Sequence, residues 1–204
     1  MMKKIVLLFT MVCLGTTICI ADNDGYNSCI IETASGDTIE CLAKLNFFSL
    51  SYKINPNDKA QKLKPAEVRF ATFCENDTCF IWSGLPIVMP DKALKGKTKG
   101  MSRGFHQFLV NPKEAKLAIS TMLQLVGGNV YTNVYFFYKP GDNFCTLAFI
   151  PINYDKSSMA KKASQVYMSD CPTIMQYVQN KKTRIKDMDD FYALYNEYIN
   201  CVED

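Results

Sequence analysis

Up to about residue 150, the apolar residues of this chain fall in short runs cut by turn-forming clusters, and beyond it they recur at helical spacing. A chain that places its strands first and its helices last cannot wind a parallel βαβ layer, because each parallel crossover needs a helix between two strands. What remains is an antiparallel sheet on which a helical layer closes. The expected fold class is α+β: an antiparallel meander of about six to eight strands followed by about three C-terminal helices.

The strand signals are local. Residues 29–33 and 38–42 flank Ala34-Ser35-Gly36-Asp37, where Gly36 supplies the positive φ that ends a three-residue hairpin loop. Thr33 opposite Asp37 places Cys29 opposite Cys41, since pair sums are constant along an antiparallel ladder. Residues 48–54 read as a third strand, stopped by Asn55-Pro56-Asn57-Asp58. Residues 67–73 and 79–82 form a second hairpin about Glu75-Asn76-Asp77-Thr78, and residues 105–110 a short strand. Residues 130–138 are dense in β-branched and aromatic side chains on both faces, which predicts a central strand covered on both sides. Pro140-Gly141-Asp142-Asn143 turns that strand into residues 144–150. Two stretches resist this reading. Asn111-Pro112 is a good helix start, and periodicity leaves open whether that helix runs to Leu125 or yields to a strand near Ile119. Residues 92–104, with glycines at 96, 100 and 104, are expected to be a mobile loop.

Helices are expected over residues 158–169, 172–181 and 188–202. In the last, Phe191, Leu194, Tyr195, Tyr198 and Val202 form one stripe, and Asp187, Asp189 and Asp190 sit where the helix dipole favours negative charge.

Residues 1–21 have a different character. Lys3 and Lys4 precede an uncharged apolar run, and Cys19-Ile20-Ala21 offers small residues around a cleavage site. This is the pattern of a secretory signal peptide, with residues 22–204 as one domain, strands over 22–155 and helices over 156–204. Neither Cys13 nor Cys19 has the context of a lipid-anchor cysteine. Subtracting the two leader lysines from 23 basic residues leaves 21 against 20 acidic ones, so nothing in the charge points to nucleic acid. No later run approaches the ~18 apolar residues of a membrane-spanning helix. The expected location is the periplasm, the outer-membrane surface or the exterior, where cysteines oxidise. Seven cysteines follow the leader, and the preferred reading is three bridges, Cys29–Cys41, Cys74–Cys79 and Cys171–Cys201, with Cys145 left as a thiol, although spacing alone leaves the connectivity open.

Several marks together resemble small exported, cell-envelope proteins of Bacteroidetes-type bacteria. They are Gly25-Tyr26 with Ser35-Gly36-Asp37-Thr38-Ile39, the aromatic strand Val134-Tyr135-Phe136-Phe137-Tyr138, and Asp170-Cys171-Pro172 ahead of a helical tail with Tyr195-Asn196 and Cys201. The resemblance implies an envelope or secreted location and, in some relatives, association with outer-membrane barrels. It implies no activity, and no functional residue is carried over.

Motifs of catalysis are sparse. His106 is the single histidine, so a thiol hydrolase would need it beside Cys145, whose apolar strand context favours an inert thiol. No Gly-x-Ser-x-Gly elbow occurs, and the cysteine spacing is not that of a zinc site. Lys95-Gly96-Lys97-Thr98 looks like the end of a phosphate loop, but Asp91 stands where its first glycine is required. Lys92, Lys95, Lys97, Lys99 and Arg103 instead form a basic loop suited to an anionic surface. Trp82, Phe80, Tyr131, Tyr135 and Phe137 are either core or a stacking patch, with core favoured. The expected function is that of a non-enzymatic exported binding or association module. It would need no cofactor or metal, and its partner would be another envelope protein or a glycan or lipid surface. The alternative is an exported hydrolase using His106 with Cys145 or an unrecognised nucleophile.

Overall fold

The structure, a computed structural model, describes residues 25–76, 78–100, 104–126, 130–153 and 155–203. The expected signal peptide, Arg103 and the Gly127-Gly128-Asn129 turn lie outside the described residues. The α+β class holds, but the sheet is larger than expected. Among the described residues, eleven strands run in the order β4-β3-β2-β1-β5-β6-β8-β9-β10-β11-β7. They are β1 Asn27–Thr33, β2 Thr38–Asn46, β3 Ser49–Lys53, β4 Gln61–Leu63, β5 Val68–Glu75, β6 Thr78–Ser83, β7 Ile87–Val88, β8 His106–Phe108, β9 Ala118–Val126, β10 Val130–Tyr138 and β11 Cys145–Phe149. The additional members β4 and β7 are two or three residues long and sit at the two edges, where pairing needs no alternating pattern to betray it. Nor is the sheet a simple meander: β5 returns to pair with β1, and β7 joins β11 in parallel.

The first hairpin has the expected register, with Cys29 opposite Cys41 and Gly36 at φ 95°. In the second, β5 and β6 run on to Glu75 and Thr78, which tightens the turn around Asn76 at φ 46°. Of the two continuations left open from Asn111, the strand near Ile119 is the one formed, as β9, and the helix before it is reduced to a turn. Asn111 does cap a single turn, its carboxamide oxygen accepting from Lys113 N–H at 3.1 Å. The turn stops there because residues 118–126 gain a nine-residue antiparallel ladder with β10. Cross-strand pairing of Ile119 and Thr121 outweighs a good helix start. β10 is covered on both faces only in its second half. Val134, Phe136, Phe137 and Tyr138 are buried, whereas Tyr131 is 70% exposed.

Curvature decides where the core lies. β5 and β10 are four neighbours apart, about 19 Å across a flat sheet, yet the rings of Phe70 and Tyr138 are 5.9 Å apart. The sheet therefore coils until its two halves touch, burying Phe70, Phe108, Phe136 and Tyr138 between them. The opposite face of β9–β11 carries the helical layer: α2 Lys156–Tyr167, α3 Pro172–Gln179 and α4 Met188–Glu203, with a one-turn helix α1 Pro90–Ala93 beside α2. Phe191 of α4 stacks on Phe137 and Phe149 at 5.4 and 5.0 Å. Asp187 starts α4 by accepting from Asp190 N–H at 3.0 Å, while the Asp190 carboxylate takes Lys186 N–H at 2.8 Å. Among the described residues, no helix is long and apolar enough to cross a membrane.

At Gly100 and Gly104, the segment expected to be a mobile loop runs close against other parts of the chain. A Cβ on Gly100 would lie 2.4 Å from the Ile87 carbonyl oxygen, and one on Gly104 would lie 2.9 Å from the Phe47 ring. Gly100 and Gly104 allow close approach, whereas Gly96 has open space around it and takes a positive φ of 68°.

Candidate functional site

Two of the three expected bridges are present. Cys74–Cys79 closes the mouth of the second hairpin, and Cys171–Cys201 ties the start of α3 to the last turn of α4. The third is not made: Cys29 and Cys41 stand opposite as expected but remain thiols. Register fixes the backbone and leaves the side-chain torsion open, and Cys41 Sγ turns to the Cys29 carbonyl oxygen at 3.6 Å. The interaction between the two thiols, followed by burial, pushes the Cys29 thiol up, while the same interaction draws the Cys41 thiol down.

The coiled sheet brings His106 and Cys145 together, with Nε2 and Sγ 3.9 Å apart. Both side chains are fully buried, the imidazole between the rings of Phe108 and Phe136. Burial drives the His106 pKa down to about 4, opposed slightly by the nearby Leu85 backbone. Burial also pushes the Cys145 thiol up, against a smaller opposite effect of Ser120. Each group is thus held in its neutral form, the reverse of the thiolate–imidazolium pair that nucleophilic catalysis uses. His106 Nδ1 and Ser120 Oγ have no hydrogen-bond partner among the described residues.

The prominent concavity lies elsewhere. A cleft of about 930 Å³ opens on the N-terminal half of the sheet, between the ends of β1, β2, β5, β6 and β8. Its walls carry aromatic rings at different depths. Phe105 is buried, Tyr26, Phe73 and Trp82 are half-buried, and Phe47 and Phe80 are exposed by 44% and 43%. Strand alternation explains the cluster: Phe73 faces Phe80 across β5–β6, and Trp82 faces Gln107 across β6–β8. Phe47 arrives from the β2–β3 turn and rests on Gly104, whose absent side chain makes room for it. Between the rings stand Asn27, Asn46, Asn76 and Gln107, and among the described residues one acid, Glu75, and one base, Lys44. The Cys74–Cys79 bridge sits on the rim and holds the outer end of β5 and β6 together.

Of the rings singled out in the sequence, Tyr135 and Phe137 pack against the helical layer, while Phe80 and Trp82 line the cleft. Tyr26, Phe47, Phe73 and Phe105 escape sequence reading, since only the coiling of the sheet gathers them. Lys92 and Lys99 of the basic loop line a second cavity, whereas Lys95 and Lys97 are simply exposed. No group of three or more His, Cys, Asp or Glu among the described residues could hold a metal ion. No family model matches the chain, and neither the curated proteins nor the solved structures include a significant match.

Proposed function

We propose that this protein is a non-enzymatic binding module of the bacterial cell envelope that holds a neutral, hydroxyl-rich ligand, the chemistry of a glycan, in the aromatic cleft. The observation that carries this reading is the lining of the cleft. Partly exposed rings offer flat apolar faces, and four carboxamides each supply a donor and an acceptor for hydroxyl groups. Among the described lining residues Lys44 and Glu75 balance in charge, which favours an uncharged guest over an anion. Export is supported by the leader-like residues 1–21 and by two disulfides, bonds that persist in oxidising compartments. The resemblance to exported Bacteroidetes-type proteins points the same way.

Trp82 is the single tryptophan of the chain and lies in the cleft, so the site carries its own reporter. Titration with a panel of neutral oligosaccharides should shift its emission saturably. Phe80→Ala should weaken that binding about tenfold, the scale of a truncated aromatic hot spot, with little change in melting temperature. A panel that leaves the emission unchanged, or a shift that Phe80→Ala does not weaken, refutes the proposal.

The hydrolase reading retains one favourable observation, the 3.9 Å approach of Cys145 Sγ to His106 Nε2. Complete burial and two neutral groups weigh against it.

A further inference from the structure

The second cavity, about 330 Å³, lies on the face of β10–β11 opposite the helical layer, roofed by β7, α1 and the chain at Lys99 and Gly100. Its polarity is graded. Val88, Val134, Phe136 and Leu147 form a buried apolar interior, while Lys92 and Lys99 are exposed at its edge. No acidic side chain lines it, and neither lysine makes an ion pair among the described residues. Asp91, the nearest acid in the chain, is held by Lys162 at 2.8 Å. Gln124, the remaining polar group of the lining, directs its Nε2 to Met122 Sδ at 3.0 Å. Gly100 matters here because any Cβ would meet the Ile87 backbone and lift the roof.

An apolar pocket edged by two unopposed cations suits one kind of guest. We propose that this cavity binds a single-chain amphiphile with an anionic head, of the fatty-carboxylate class. Its alkyl chain lies on Val134, Phe136 and Leu147, and its carboxylate sits between Lys92 and Lys99. At about 30 Å³ for each water-sized group, the space accepts about eleven such groups, a chain of about ten carbons with its head at the edge. The site is separate from the aromatic cleft, and its ligand differs in charge and shape.

Calorimetric titration of the full mature chain with octanoate, decanoate and dodecanoate tests the assignment. Affinity should rise about fourfold per methylene until the cavity is full. The double variant Lys92→Gln/Lys99→Gln should weaken decanoate about tenfold and leave methyl decanoate unaffected. Gln124→Trp, which places an indole in the cavity, should abolish both. The two lysine substitutions lie on the surface, so a misfolded Gln124→Trp would still leave the test decisive. Affinity independent of chain length overturns the proposal, and so does methyl decanoate binding as tightly as decanoate. Retention on phosphatidylglycerol vesicles without any decanoate heat would assign the lysines to a lipid surface and overturn it equally.

Discussion

Lowering the pH from 7 towards 4 should destabilise the native state chiefly through one side chain, His106. The imidazole is fully buried, and burial holds its pKa at about 4 against an ordinary value near 6.5. The unfolded chain therefore binds a proton in a range where the native chain does not. Because the native pKa is depressed, the contribution of His106 is fully present above about pH 6.5 and is lost as pH falls towards 4. At 1.36 kcal/mol per unit, the full span is worth about 3 kcal/mol, of which about 2 kcal/mol should be gone by pH 5. Urea denaturation at intervals between pH 7.5 and 4.5 measures this directly, and His106→Gln should flatten the curve. Asp142, whose carboxyl is pushed up mainly by burial, contributes with the opposite sign. It is unchanged in His106→Gln, so the difference between the two proteins isolates the imidazole. As the chain has a single histidine, its proton resonances also report the pKa without assignment ambiguity. A native pKa near 6.5, or equal pH dependence in the two proteins, would refute the buried, neutral assignment.

The two disulfides should differ in weight: in the chain-entropy account, closing 30 residues with Cys171–Cys201 contributes about 3.5 kcal/mol and closing five with Cys74–Cys79 about 2 kcal/mol. Melting of Cys171→Ala/Cys201→Ala and Cys74→Ala/Cys79→Ala should fall by about 9 °C and about 5 °C, and an inverted order would contradict the assignment. Native alkylation followed by peptide mass spectrometry should label Cys41 ahead of Cys29, since its thiol is drawn down and less buried. Cys145 should react only on unfolding. Gly100→Ala should cost about 1–3 kcal/mol in urea unfolding, because its Cβ meets backbone that has no room to yield.

Much of the fold was legible because its signals are short-range. The hairpin about Gly36 and its Cys29–Cys41 register follow from turn chemistry and the two-residue period of a strand. The stripe Phe191, Leu194, Tyr198 follows from the helical period, and all three are buried. The failures are equally physical. Asn111-Pro112 carries a true cap, but local propensity is worth less than nine rungs of ladder to β10. Glycines at 100 and 104 suggest freedom by composition, whereas contact with Ile87 and Phe47 is what requires them. Such contacts join residues far apart in sequence and leave no periodic trace.

The amino-acid order alone determined the α+β class and the strand-then-helix arrangement, since each rests on spacing within one or two neighbouring elements, and it proposed three cysteine pairs of which two are bridged. Tertiary structure alone decided the two cavities, the neutral burial of His106 against Cys145 and the gathering of rings around Trp82. The reason is the coiling of the sheet. Its twist accumulates over many strands, so it brings β5 to β10 and sets the spaces between them only once the whole ladder is assembled.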